Sequence, residues 1–250
     1  MGYPKLFFDN RFADAAPAAS STAAGNYAAA NIADMRSYTW WRPAALPATL
    51  TVDCGQAKAA DFALIYGHDL FTQGASVEVR GSTDNFSISD EQLAAVTPAS
   101  DAPFLLEFSS ASYRYWRIRI TGTSAPSVAI AMIGAALVMP RYLGGGFDPL
   151  ARSLVLQANH NDNGHPLGKI IEFERWQQTL SFGLVSWGWL RGTWQPAWRG
   201  KLRGQPFVFA WDSVNYPAEL QLVTAGDNYQ TPHQTGLLAS LQFDVSGVAT

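Results

Sequence analysis

Apolar and polar residues alternate with a period of two along much of this chain. In 113–121, Arg114, Trp116, Ile118 and Ile120 share one face of an extended segment, while Tyr113, Tyr115, Arg117, Arg119 and Thr121 share the other. That is the pattern of a half-buried strand. The stretch 128–139 is continuously apolar, as in a strand buried on both faces, with Gly134 marking a kink. Together the two predict the closing hairpin of a β-sandwich. Runs at 49–54, 61–66, 76–81 and 104–108 read as further strands, separated by turns rich in Gly, Pro, Ser and Asp. Residues 11–34 are rich in alanine, but Pro17, Gly25 and Ser20-Ser21-Thr22 interrupt them and predict irregular chain with at most one helical turn.

The segment PRYLGGGFDP at 140–149 sets three glycines between two prolines and reads as a linker. It divides the chain into domains 1–143 and 144–250. Beyond it, strands are expected at 152–158, 168–176, 179–190, 206–211, 218–224 and 237–245; in the last, Leu237, Ala239, Leu241, Phe243 and Val245 form the inward face. The expected fold class is all-β, a sandwich followed by a second, smaller β domain. His160, Asp162 and His165 lie close together, but Asn163-Gly164 between two strand-like runs signals a hairpin turn rather than a metal site.

Composition narrows the partners. Charged residues make up 15% and the net charge is −3, which argues against a phosphate-binding surface and a nucleic-acid partner. The longest apolar run, 128–139, is too short to span a bilayer, and the N-terminus carries no secretory core, so neither membrane insertion nor export is expected. Cys54 is the only cysteine. It alternates inward with Leu50 and Val52, which suits a buried thiol in a chain folded in a reducing compartment. No catalytic residues, cofactor or metal are expected. His68-Asp69 and Asp212-Ser213 sit in no nucleophile elbow, and the glycines at 144–146 lack the lysine of a phosphate loop. A pair of glycoside-cleaving carboxylates from distant strands is left open, with nothing pointing to it.

Four spaced segments, NIADMRSYTWWRP, ATLTVDCGQAKAADFALIYGHD, ASVEVRGSTD and YRYWRIRITGTSAPSVAIAMIGAALV, resemble in order the discoidin, or coagulation factor V/VIII type C, family. The resemblance spans about residues 5–140 and implies a galactose-binding-like jelly roll with a ligand rim made by loops at one end. On that rim Trp40, Trp41 and Arg42, with His68 and Asp69 on a second loop, could stack on a sugar and hydrogen-bond its hydroxyls. Some relatives bind calcium near early acidic residues, for which Asp9, Asn10 and Asp14 are the residues present here. Many extracellular members also close their ends with a disulfide, which a single cysteine cannot form.

Six tryptophans lie beyond the linker, four of them in SWGWLRGTWQPAWRGKLRG. An aromatic and arginine mixture with few acids suits a protein interface, so Trp187, Trp189, Arg191, Trp194, Trp198 and Arg199 are the expected interface residues. PLGKIIEFERWQQTLSFG, QPFVFAWDSVNYPAELQLV and GLLASLQFDVSGVA resemble in style the β-rich tail-tip or baseplate proteins of tailed bacteriophages. The resemblance implies a virion structural subunit assembled in the bacterial host cytoplasm, a homo-oligomer among other tail or baseplate proteins in a symmetric assembly. The alternative expectation is a carbohydrate-binding module or adhesin recognising a cell-surface glycan.

Overall fold

The computed structural model describes residues 2–248. In chain order the elements are β1 (Lys5–Phe7), a short helix α1 (Arg11–Asp14), β2 (Ala18–Ala19), β3 (Ala48–His68), β4 (Ala75–Ser82), β5 (Glu91–Val96), β6 (Phe104–Gly122) and β7 (Val128–Gly134). There follow β8 (Leu137–Val138), β9 (Ser153–His160), β10 (Pro166–Ser186), β11 (Pro206–Ala210), β12 (Leu220–Gln230), β13 (His233–Thr235) and β14 (Leu238–Val248). The fold is all-β with antiparallel pairing, and it divides into two compact units.

The jelly-roll unit comprises Phe7–Leu137 and Ser213–Leu220. The other gathers residues 2–6, 138–212 and 221–248. Three segments therefore fall across the expected 143/144 division, residues 138–143 among them. Residues 2–6 leave the jelly roll because β1 pairs between β8 and β11, and 213–220 join it.

The jelly-roll sheet runs β2-β3-β6-β4-β5, with β7 also on β3. Where four strands were expected, two long ones form. The runs at 49–54 and 61–66 are the two halves of β3, and those at 104–108 and 113–121 are the two halves of β6. Register breaks between Asp53/Lys58 and Ala60/Phe62 change which β3 side chains face inward midway along the strand. In the first half Leu50 and Val52 are buried between half-exposed Thr49 and Thr51; in the second every residue of 62–66 is buried. β7 is not the hairpin partner of β6. It pairs with β3 from Phe62↔Gly134 to His68↔Val128, so the far half of β3 is flanked on both sides. Every residue of β7 is buried, as its unbroken apolar sequence requires. The kink is the end of the strand: a Cβ on Gly134 would collide with the Asp9 carbonyl oxygen, an approach only glycine permits.

One core joins Leu50, Val52, Val77, Val79, Trp116, Ile118 and Ile120 to Ile65, Val128, Ala131, Ile133, Ile32 and Trp41. Cys54 packs partly buried against it, and burial pushes its thiol up. The irregular segment before β3 forms α1, β2 and one 3-10 turn, Ala29–Ala33.

In the second unit the sheet order is β8-β1-β11-β12-β14-β10-β9, with β13 on β14. The expected strands at 168–176 and 179–190 are one strand, β10, which ends at Ser186; a helical segment, 187–202, follows where aromatic surface was expected. Ser186 caps it, its Oγ accepting the Trp189 N–H at 3.2 Å. Leu190, Trp194, Trp198 and Leu202 are buried at every fourth position. On a regular α-helix that spacing drifts about 40° per repeat. The π-type turns Leu190–Trp194 and Trp198–Leu202 lengthen the winding and keep all four on one face. Trp194 meets Phe243 with ring centroids 4.8 Å apart, and Trp198 meets Tyr229 at 5.1 Å. These two tryptophans are core, which corrects their expected place in an interface.

The first half of β10 extends past β14 and pairs only with β9, forming a two-stranded arm. At its tip Asn161 Oδ1 accepts the N–H groups of Asn163 and His165, and Gly164 takes φ +80°, so His160, Asp162 and His165 belong to a hairpin turn. Leu154, Leu156, Ile170, Ile171 and Phe173 are exposed along the arm.

Candidate functional site

At the end of the jelly roll where β3 finishes and β7 begins, Tyr27, Trp40, His68, Asp69 and Ser127 line a cavity of about 370 Å³. Asp69 ties the two strand ends together. Its Oδ1 accepts the Ser127 N–H at 2.6 Å, and its Oδ2 accepts the Gln73 Nε2 at 3.2 Å. The aromatic side is built by the segment preceding β3. Asp34 accepts the Arg36 N–H and the Thr39 Oγ1–H, and the Asn31 Nδ2 donates to the Trp40 carbonyl at 2.8 Å, closing a turn that presents Trp40. Trp40 is 38% exposed. Its neighbour Trp41 is fully buried, makes two backbone hydrogen bonds to Val128 and donates its Nε1–H to the Ser21 carbonyl. Successive residues of an extended chain point to opposite sides, so of this pair one ring plugs the sandwich and the other faces the cavity.

Of the expected rim residues, the structure brings together Trp40, His68 and Asp69. Trp41 is corrected to a core residue. Arg42 is exposed but does not line the cavity, and among the described residues nothing pairs with its guanidinium. His68 lies at the floor with both ring nitrogens engaged: Nδ1 accepts the Leu70 N–H and Nε2 donates to the Ala102 carbonyl at 2.9 Å. It shapes the wall and has no nitrogen left for a ligand. Tyr27 and Ser127 were missed by the sequence reading. Tyr27 stands in the interrupted Ala-rich stretch, and Ser127 looks like any turn residue; only the β3–β7 pairing places it beside Asp69.

Burial lowers the His68 pKa below its ordinary 6.5, outweighing the Ala102 hydrogen bond and the Asp101 and Asp69 charges, which raise it. Between the folded and unfolded values the unfolded chain takes up a proton that the folded chain refuses. The stability His68 contributes is therefore complete above pH 6.5 and declines as the pH falls below it. Thermal unfolding from pH 8 to pH 5 should show a smaller loss of melting temperature for His68→Gln than for the unmodified chain. Parallel curves would show that His68 does not titrate in this window.

Among the described residues the early acidic side chains do not gather into a metal-holding cluster. Asp9 pairs with Arg11 at 2.7 Å, Asp14 pairs with both Arg11 and Lys58, and Asn10 is buried, its Oδ1 accepting the Phe12 N–H. In the helical segment Trp187 and Trp189 are half-buried and Arg191 and Arg199 exposed, with the Arg191 guanidinium 5.4 Å from the Trp187 ring.

The cavity combines two aromatic rings with a carboxylate, a hydroxyl and open access, which suits holding a polar ring molecule by its apolar face and its hydroxyls. Its histidine is held inward through both ring nitrogens, and each Asp69 oxygen accepts one N–H, with lone pairs left for a further donor.

No family model matches the chain, and no curated protein does. Solved structures do. Chitosan-binding module 1 of a chitosanase/glucanase from Paenibacillus sp. IK-5 is 16% identical over 50% of this chain and 97% of its own, with a TM-score of 0.42. CpGH89CBM32-5 from Clostridium perfringens, in complex with GalNAc-β-1,3-galactose, is 16% identical over 51% of this chain and 99% of its own, with a TM-score of 0.44. A pectin-binding carbohydrate-binding module is 20% identical over 47% of this chain and 88% of its own, with a TM-score of 0.40. At such identities the likeness is one of fold alone, and it extends over half of this chain.

Proposed function

We propose that the jelly-roll unit is a carbohydrate-binding module and that the cavity at the end of β3 receives a sugar ring. The observation that carries this reading is the pairing of exposed Trp40 with Tyr27 on one side and Asp69 with Ser127 on the other, in a cavity of about 370 Å³. A pyranose presents a C–H face that stacks on aromatic rings and an edge of hydroxyls that seeks acceptors and donors. The role is binding rather than turnover. A glycan array probed with the purified chain tests it, with GalNAc-β-1,3-galactose and chitotriose among the first ligands. Specific retention of one glycan class, competed by the free sugar, is the expected result; an array with no retention above background would sink the reading.

The assembly role expected from the second half, as a tail-tip or baseplate subunit, draws less support. Trp194 and Trp198, two of the residues expected to carry it, are core. What favours it is the arm of β9 and β10, whose exposed leucines, isoleucines and phenylalanine exceed what scattered surface residues explain.

A further inference from the structure

A second cavity, of about 450 Å³, lies on the outer face of the jelly-roll sheet, where β2 covers β3 with only two residues. Its floor is the outward alternation of two paired strands, Thr49, Thr51 and Asp53 from β3 with Tyr115 and Arg117 from β6; Asn85 closes one side. Small residues, alanine and serine at 16–20, leave it open.

Arg117 sets the chemistry of this groove. Three arginines cluster here, since Arg117 lies directly opposite Arg80 in the β4–β6 ladder and Arg119 is two residues on. Arg80 pairs with Glu78 and Asp90, and Arg119 with Glu78. Arg114 holds Asp53 through two bonds of 2.8 Å. Among the described residues Arg117 alone of these has no carboxylate. Its Nε–H donates to the Thr51 Oγ1 at 2.8 Å, and its guanidinium lies 3.6 Å from the centre of the Phe86 ring. Those contacts fix the plane of the group, and among the described residues its two terminal nitrogens have no hydrogen-bond partner. The Phe86 platform is itself held in place. Asn85 and Phe86 take φ of 59° and 63°, positions secured by the Ser82 Oγ accepting the Phe86 N–H and by Asp84 accepting N–H groups from Ser87, Ile88 and Ser89.

We infer that this groove binds a carboxylate-bearing saccharide, a uronic acid residue whose carboxylate takes the free edge of Arg117. Loss of solvent contact chiefly, with the charges of Arg80 and Arg119, pulls the Arg117 pKa down against the Asp90 charge, which raises it, so a further anion on this edge would be favourable. A two-point guanidinium–carboxylate pair supplies that ion. Asp53 is held ionised, its pKa lowered to about 2 chiefly by the Arg114 hydrogen bond, and serves as an acceptor for sugar hydroxyls. Thr49, Asn85 and Tyr115 supply further polar contacts, and the volume suits one or two sugar rings rather than a bare inorganic ion. The inference borrows from the carbohydrate-binding reading only the class of ligand, since it involves none of the residues of the first cavity.

The test is titration calorimetry of the full chain with trigalacturonate and with a neutral galactose trisaccharide, at low and at physiological salt. Trigalacturonate should bind, more weakly at the higher salt, and Arg117→Gln should weaken it by about tenfold or more. Trp40→Ala should leave it unchanged. Asn85→Gly, which keeps the backbone conformation and removes the amide, should also weaken it and guards against misfolding of the Arg117 variant. Absence of trigalacturonate binding to the unmodified chain, or equal binding by Arg117→Gln, overturns the inference. Binding lost in Trp40→Ala but kept in Arg117→Gln would do the same while supporting the first cavity. Retained trigalacturonate binding alongside an empty neutral-glycan array would mean the reverse.

Discussion

Replacing Trp40 with alanine is expected to weaken glycan binding about 30-fold, close to 2 kcal/mol, while moving the melting temperature little. The argument rests on where the side chain stands. Trp40 presents a partly exposed ring to the cavity, and the hydrogen bond that fixes its position is made by its backbone carbonyl, which alanine retains. Truncation therefore removes the stacking surface without unmaking the turn. A half-exposed site of this kind contributes little to folding, and a change within about 0.5 kcal/mol is ordinary. Titration with the best glycan from the array, beside a thermal melt, gives both numbers. Binding undiminished in Trp40→Ala would remove the cavity from the recognition mechanism. Trp41→Ala is no substitute for this experiment, because that ring is core and its loss would be read as unfolding.

The second large effect concerns Trp198, which is 5% exposed and packs against Trp194, Tyr229 and Phe243. Trp198→Glu should unfold the second unit. Deleting a buried tryptophan costs about 3–5 kcal/mol, and a carboxylate placed in the same space adds the cost of burying a charge without a partner. Their sum rivals the whole stability of an ordinary domain, about 5–15 kcal/mol. Near-ultraviolet circular dichroism is the readout, since the ring cluster of Trp189, Trp194, Trp198, Tyr229 and Phe243 gives that unit a strong aromatic signature. A folded Trp198→Glu chain with an unchanged spectrum would mean the helical segment does not pack on the sheet as described. Trp189→Ser, at a half-buried position of the same helix, should do far less harm.

The alternating stretches made the sandwich legible. Leu50 with Val52, Val77 with Val79, and Trp116 with Ile118 and Ile120 all face inward as their period of two requires. What the pattern could not carry was continuity and pairing. The non-alternating residues 54–61 look like a loop in sequence, yet they are the middle of β3, where register breaks absorb the change of face. The pairing of β7 with β3 rather than with its neighbour β6 is a tertiary choice that no local signal encodes. In the helical segment, Gly188, Gly192, Pro196 and Gly200 advertise a loop, and burial overrides propensity. The recurrence of Leu190, Trp194, Trp198 and Leu202 was the available clue. At the cavity, both rings of the doublet Trp40-Trp41 were expected on the rim, and only the fold shows that Trp41 turns inward. Tyr27 and Ser127 become site residues only once long-range pairing brings their loops together.

The position of β1 sets a clock on biosynthesis. Residues 5–7 leave the ribosome well before β11, which begins at residue 206, yet they pair between β8 and β11. At roughly 5–20 residues per second, about 10–40 s separate the emergence of the two strands. For that interval Leu6, fully buried in the finished protein, has no completed sheet to enter. The jelly-roll strands that follow it are meanwhile all synthesised. The order of emergence thus favours a sandwich that forms first and a second sheet that closes only once β11 and the strands after it have emerged, taking one of its strands from ahead of the sandwich.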